Sequence, residues 1–474
     1  MVTSTPFKSS ASIYEWLSRF ANMESGQTSR SFKLDRMLIL AELASHPEKC
    51  APSIHVAGSK GKGSVTGMIA AILEASGIKT GRYESPHVND FRERIAMGKG
   101  FFAEETYISA GNELRELVKK LNLAKKHKIF DASHDDGEEP TFFELMTLWF
   151  FLCSRHAQVN AMAVETGMGG RLDATNILSP LVSVITLIEL EHTEYLGKTI
   201  AAIAGEKAGI IKKGRPLILA EQTSEALEVF RKNTALKKSH LLYFPDYAKV
   251  YDIKINDEGT SFSLAINTSG MTGVNKEKQI YSDLFIPMPG EVQAKNAGLA
   301  ILSVKAAFPQ TGEEHIREGL AGFSLAARFE KISHAPAIVV DGAHTPHSLD
   351  LCLRSFASLY GKGAILIFGC AAGKDIVSMA KQCAPIFSRI IITRPGTFKK
   401  SFPDEIFTIF SREAENMAQA PEILFIPDTL DAIDQAIKLA LENNLPVLGT
   451  GSFYLAGEIR NKVINNTNAN CKKI

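Results

Sequence analysis

The segment Gly58-Ser-Lys-Gly61-Lys62-Gly63-Ser64 lies between a short apolar run, Ser53–Ala57, and a helical pattern. Backbone N–H groups of such a loop, with a helix N-terminus behind them, can cradle phosphate oxygens. Lys62 adds a point charge for terminal phosphates, and the Ser64 hydroxyl can reach Mg²⁺. The spacing departs from G-x-x-x-x-G-K-S/T, because Val56 occupies the first glycine position and Gly63 follows the lysine. A surface turn would share this composition, but the strand–loop–helix context favours a nucleotide. Three further segments set reactive side chains just past apolar runs: Glu84-Ser85-Pro86-His87, Glu165 to Asn176, and Glu191-His192. Ligands of open α/β sheets sit outside strand carboxyl ends, so all three point into one crevice. Singly, Glu165 or His192 fits a cap or a surface position. Together the Ser85 hydroxyl, the Glu165 carboxylate and the His192 imidazole suit a Mg²⁺ site. Glu206-Lys207-Ala-Gly-Ile210 and Asp341-Gly-Ala-His344-Thr-Pro346 are compact reactive clusters, each weak alone.

The elements that must hold these residues follow from periodicity. Val65, Met68, Ile69, Ile72 and Leu73 form one helical stripe after the loop, Gly77 closes that helix, and 78–83 starts a strand. Thr141-Phe-Phe-Glu144 is a capping box opening another helix. Ala161–Glu165 and 182–187 are further strands, and 123–140 is a polar, solvated insertion. A helix over 292–308 ends at Pro309, and a new βα series begins at Ala337–Val340. It continues through Ala364–Phe368, 390–393, 423–426 and 446–449. Alternating strands and helices predict an α/β protein of two domains, 1–309 and 310–474.

The composition is that of a globular chain: 474 residues, 45% hydrophobic, net charge +1. Near-balanced charge argues against general nucleic-acid binding. Six scattered cysteines without a C-x-x-C pair suit a reducing compartment. The N-terminus has no secretory-signal pattern, and the most apolar stretch, 145–153, is about half a membrane span. A cytoplasmic monomer working on small molecules is expected, with neither membrane nor nucleic acid as partner.

Eight motifs then occur in order: HVAGSKGKGSV, ESPHVNDFRERI, PTFFELMT, ETGMGGRLDATNI, EHTEYLGKTIAAIAGEKAGI, ARFE, VVDGAHTPHS and GTGSFYLAGEIR. With these the chain resembles folylpolyglutamate and dihydrofolate synthases of the Mur ligase superfamily over nearly its whole length. The resemblance implies a P-loop Mur-ligase-type N-terminal domain, with a parallel or mixed sheet flanked by helices. A smaller Rossmann-like α/β C-terminal domain would follow it.

Residue by residue, the resemblance implies an ATP phosphate loop at Gly58, Gly61, Lys62, Gly63 and Ser64, and Mg²⁺ ligands at Ser85, Glu165 and His192. Lys207 matches a lysine carbamylated by CO₂ beside a second Mg²⁺. Asn296, Arg328 and Asp341 match positions for adenine, phosphate and ribose. His344 and Ser452 match glutamate-binding positions, and Lys62, Lys207 and His344 are the catalytic candidates. Arg171 and Asp173, with Thr141 and Phe143, match the pterin side of the acceptor, a role preferred for Asp173 over merely capping the turn after it. A monovalent cation has a place in the same expectation.

The departures from the pattern are Lys60 for Asn, Glu84 for Thr, Glu191 for Asp, Val292 for His, Thr345 for Asn, and Ala326-Ala327 for Pro-Gly. The implied reaction is ATP-dependent ligation of L-glutamate to dihydropteroate or tetrahydrofolate through an acyl phosphate. A ligase acting on a peptidoglycan precursor and a regulatory P-loop ATPase are the competing readings.

Overall fold

The computed structural model describes residues 5–22, 33–126, 139–267, 278–396, 400–415 and 417–471. The core of the expected insertion, 127–138, lies outside them. The first sheet has seven strands: β1 (Ser53–Ala57), β2 (Thr80–Tyr83), β3 (Ile95–Met97), β4 (Ala161–Glu165), β5 (Val182–Ile185), β6 (Leu217–Leu219) and β7 (Leu241–Tyr243). Their order is β3-β2-β4-β1-β5-β6-β7. Only β3 runs antiparallel, on the edge against β2. Every residue of β1, β4 and β5 is buried, as a sheet covered on both faces requires of its central strands. The phosphate-loop helix, Lys62–Ala75, covers one face. The helix Phe142–His156, buried over most of its circumference, covers the other.

A small antiparallel sheet, β8 (Ala248–Ile255), β9 (Thr260–Asn267) and β10 (Lys278–Ile286), was not anticipated from sequence. It packs its apolar side (Phe262, Leu264, Ile266, Leu284) beneath the helix Glu291–Ala307. The last sheet has the order β11-β12-β16-β13-β14-β15, from β11 (Glu330–His334), β12 (Ala337–Val340), β13 (Ala364–Phe368), β14 (Phe387–Ile392), β15 (Glu422–Phe425) and β16 (Val447–Thr450). It is parallel except for β11. The architecture is therefore the expected two-part α/β one. No described helix is long and apolar enough to cross a membrane.

Packing moves the division between the halves past the expected 309/310. Helix Glu313–Ala321 lies against the phosphate-loop helix so closely that a Cβ on Gly319 would stand 2.6 Å from the Ile72 Cα. Ile316, Leu320 and Phe323 complete the core around β1. We place the division in 324–329. There Ala327 and Phe329 hold left-handed φ values of 54° and 49° on either side of Arg328. Such a conformation costs a non-glycine residue about 1–2 kcal/mol, which surrounding contacts must offset. At Ala327 this is physical reason enough for glycine to be common there in the family pattern.

Candidate active site

The phosphate loop leaves β1 between β4 and β5, and its shape depends on two glycines. Gly58 has φ 147°, and a Cβ on it would fall 1.8 Å from Thr186 Oγ1. Gly61, at φ 84°, caps the helix, and its Cβ would meet Asn296 Oδ1 at 2.7 Å. Asn296 is thereby brought to the loop from the helix Glu291–Ala307. Gly63 faces Glu165, whose Oε2 would be 3.5 Å from an added Cβ. Ser64 is buried in the first helical turn.

Glu165 ends β4 at 4% exposure, with Oε2 accepting the Ser85 N–H at 3.1 Å. Lys62 Nζ stands 3.9 Å from its other oxygen, close enough for attraction but beyond hydrogen bonding. Burial raises the Glu165 pKa to about 7, with Lys62 opposing and Glu84 adding to the rise. Glu84 is itself buried and raised for the same reason against the pull of Arg82, whose Nε is 3.5 Å from Oε2, and its Oε1 has no hydrogen-bond partner among the described residues. Two buried, under-neutralised carboxylates thus flank the loop. His192 is exposed, at φ 46°, with Glu191, Lys62 and Lys207 all within electrostatic reach. Among the described residues no three His, Cys, Asp or Glu side chains are already gathered as a metal cage. The expected set has only two such side chains, Glu165 and His192, with the Ser85 hydroxyl as the third.

Lys207 is 1% exposed and donates to Gly58 O at 2.6 Å and Glu191 Oε1 at 2.8 Å. Burial, then Lys62, lowers its pKa to about 8, against the pull of Glu191. It therefore ties the helix Ile200–Ala208 to the base of the phosphate loop.

On the acceptor side, Thr141 forms the expected capping box with Glu144, which also holds buried Arg36 at 3.1 Å. The Phe143 ring lies where a Cβ on Gly167 would come within 2.4 Å, and 5.9 Å from Tyr83. Arg171 is exposed and pairs with Glu206 at 2.9 Å. Asp173 is occupied by its own loop: Oδ1 accepts the Thr175 N–H at 3.0 Å and its hydroxyl at 2.5 Å, while Oδ2 accepts the Met168 N–H at 2.9 Å. This is the capping arrangement, and an acceptor would have to use the remaining lone pairs.

The C-terminal half contributes residues from the carboxyl ends of β12 and β16. Asp341 accepts the backbone N–H groups of Phe329 (2.8 Å) and Ala343 (2.7 Å), which pins the strained linker beside Arg328. The Arg328 guanidinium lies 4.1 Å over the Phe453 ring, and its charge is felt by Asp341, Glu165 and Glu84. His344 Nδ1 is 2.8 Å from Gly342 O; a carbonyl only accepts, so Nδ1 carries the proton and Nε2 a lone pair. Burial lowers the His344 pKa to about 4, and Lys374, Lys60 and Arg328 push the same way. Ser452 is buried and caps the Tyr454 N–H at 3.2 Å. The halves also approach here: Ser59 Oγ donates to the Glu189 backbone O (3.0 Å), and the Glu189 carboxylate lies 3.2 Å from His347 Nε2.

Sequence reasoning passed over Phe453, Lys374 and Glu189. Phe453 lies inside a quoted motif but carries no charge or nucleophile to single it out. The other two carry no local pattern; only the meeting of the halves shows them.

Two family models match the chain: the Mur ligase middle domain over residues 111–304, and the Mur ligase glutamate ligase domain over 327–453. The folylpolyglutamate synthase of Lacticaseibacillus casei is 31% identical, across 90% of this chain and 94% of that protein. The dihydrofolate synthase/folylpolyglutamate synthase of Bacillus subtilis is 28% identical, across 91% and 94%. The folylpolyglutamate synthase of Mycobacterium tuberculosis, solved with ADP and AMPPCP, superposes with a TM-score of 0.82 at 27% identity, covering 96% of this chain and 98% of that one. An FPGS–AMPPCP–folate complex superposes at 0.75 with 27% identity, covering 96% and 99%. With relatives matched along nearly their full length and both halves in Mur ligase order, the chain belongs to the folylpolyglutamate synthase/dihydrofolate synthase family of Mur ligases.

Proposed function

We propose that the chain ligates L-glutamate to dihydropteroate and to tetrahydrofolate or its polyglutamates, consuming ATP and passing through an acyl phosphate. The observation that carries this is the meeting of Lys62, Glu165 and the phosphate loop with Arg328, Asp341 and His344 of the other half in one cleft. The relatives named for this activity, and the related structures holding ATP analogues and folate, support it.

The acceptor carboxylate attacks the γ-phosphate, so two anions must approach. Lys62 and the loop N–H groups offset that repulsion, and Asn296, Asp341 and Arg328 hold adenine, ribose and phosphate. Ser85, Glu165 and His192 would hold Mg²⁺. The under-neutralised Glu165 carboxylate fits that role, and bound there the ion would lower the cost of bringing the anions together. Thr141, Phe143 and Arg171 face the acceptor, with Asp173 shaping its loop. The α-amine of glutamate then attacks the acyl carbon and phosphate leaves. His344, neutral at pH 7, offers its Nε2 lone pair to that amine, with Ser452 beside it. Holding both reactants between the halves keeps water from the acyl phosphate. Monomeric action in the cytoplasm, and a monovalent cation beside Mg²⁺, belong to the same proposal.

ADP release is measured with dihydropteroate, tetrahydrofolate and a UDP-linked peptidoglycan precursor, each with and without glutamate. Glutamate-dependent turnover with both pteridine acceptors is expected. Turnover with the UDP-linked precursor alone, or ADP release indifferent to glutamate, would reject the proposal.

Lys207 is also proposed to be carbamylated: its neutral amine adds to CO₂ and releases one proton, turning a cation into an anion beside Glu191. That pair would suit a second Mg²⁺. A pKa near 8 makes the neutral amine more abundant as pH rises through that value. With isotope-labelled bicarbonate and Mg²⁺, a carbamate carbon resonance should appear and strengthen above pH 8. Its persistence in Lys207→Arg would show that it arises elsewhere.

A further inference from the structure

We propose that Lys60 binds a carboxylate of the incoming glutamate, so that the nucleotide-binding half completes the amino-acid site. This rests on glutamate ligation being the reaction. Two lysines stand two residues apart on the phosphate loop, and the left-handed turn at Gly61 separates them. Lys62 turns toward β4 and Glu165. The Lys60 backbone is anchored on the β5 side instead, its N–H bonded to Leu187 O at 3.2 Å in an isolated bridge. It is half-buried, yet its ammonium forms no hydrogen bond or ion pair among the described residues.

The neighbour of Lys60, Ser59, bonds the Glu189 backbone, and the Glu189 carboxylate lies 3.2 Å from His347, three residues past His344 on the opposite half. That link brings the Lys60 side of the loop against the cleft wall that carries His344. The depressed His344 pKa agrees, because the Lys60 charge contributes to it together with Lys374 and Arg328. Glu165 and Glu84 stand on the Lys62 side of the loop and Arg328 reaches both them and His344, whereas Lys60 and Lys374 are felt at His344.

An excess of cations around a neutral imidazole acceptor matches glutamate in particular. Two carboxylates need positive partners, and one amine needs a lone pair. The same cations disfavour an ammonium form of that amine, which helps it arrive as the nucleophile. ATP already has Lys62 and Arg328; a cation felt at His344 and without a partner among the described residues is better matched to the amino acid.

The test uses the full chain with ATP and an acceptor that the wild type turns over. Lys60→Met keeps the stem and removes the charge, and Lys60→Arg keeps the charge. Lys60→Met is expected to raise KM for glutamate about 10- to 100-fold, the loss of one charge-assisted contact, with KM for ATP changed less than about threefold. Lys60→Arg should recover most of the loss. Glutamine and the α-amide of glutamate serve as competing amine donors. Preference for glutamate over one of these amides should shrink by a similar factor in Lys60→Met. A raised KM for ATP with that for glutamate unchanged, or unaltered preference over both amides, would overturn the assignment. Lys60→Gln provides a second uncharged variant should methionine disturb folding. A wild type with no glutamate-dependent turnover would overturn the reaction itself, whereas failure at Lys60 alone leaves that turnover intact.

Discussion

Lys62→Ala is expected to lower kcat/KM by about 10³-fold or more while the chain stays folded, the range seen when a preorganised charge is removed from a developing anion. Lys62 opens the helix behind the phosphate loop and is only 15% exposed, so its ammonium is poorly screened. Removing it also deletes the cation that opposes the raised pKa of Glu165, which should then rise above about 7. A proton would sit on the carboxylate proposed to hold Mg²⁺, so apparent Mg²⁺ affinity should fall along with turnover. The side chain makes no hydrogen bond that the fold needs. Circular dichroism and thermal unfolding should therefore stay close to wild type. Near-normal turnover at saturating ATP would remove the loop from the mechanism.

Glu165→Gln is expected to abolish turnover and yet stabilise the ligand-free protein. The carboxyl titrates near 7 when folded, against an ordinary value of 4.5. Between those values the folded protein keeps a proton that the unfolded chain releases. This group's contribution to stability is therefore most favourable below about pH 4.5, declines as pH rises, and is least favourable above pH 7. A neutral amide removes that penalty, and its carbonyl can still accept the Ser85 N–H. The gain should be about 1–3 kcal/mol at pH 8 and should vanish at pH 4. Urea unfolding at the two pH values, without nucleotide or Mg²⁺, measures it. A variant less stable than wild type at pH 8 would mean that the carboxylate is neutralised in the free protein.

These two residues were legible in the sequence because their signals are local. A glycine-rich turn after the short strand-like run Ser53–Ala57, and an acid at the end of another such run, mark a strand-end crevice. The Thr141–Glu144 capping box was equally plain, since both reciprocal bonds lie within four residues. The β8–β10 sheet was harder to read, because register shifts at Tyr251/Lys254 and Tyr281/Leu284 interrupt the alternation. Asp252 and Asp283 take left-handed φ values in those interruptions. Helix Glu313–Ala321 shows its apolar stripe openly, but a stripe does not say which core it will join. Ile316 and Leu320 join the phosphate-loop helix, which moved the division between halves. The stacking of Arg328 on Phe453 and the Ser59–Glu189–His347 link were illegible for the same reason. They join segments more than a hundred residues apart in sequence, whose pairing only the tertiary fold decides.

The acceptor carboxylate is proposed to be phosphorylated in this cleft before the glutamate amine attacks it. This is tested by placing heavy oxygen in that carboxylate and following it by mass spectrometry through one round of ligation. If the acyl phosphate forms, one labelled oxygen leaves with the inorganic phosphate for each amide bond made. Ligation that releases unlabelled phosphate would contradict it, because the carboxylate oxygen would never have been joined to the γ-phosphorus.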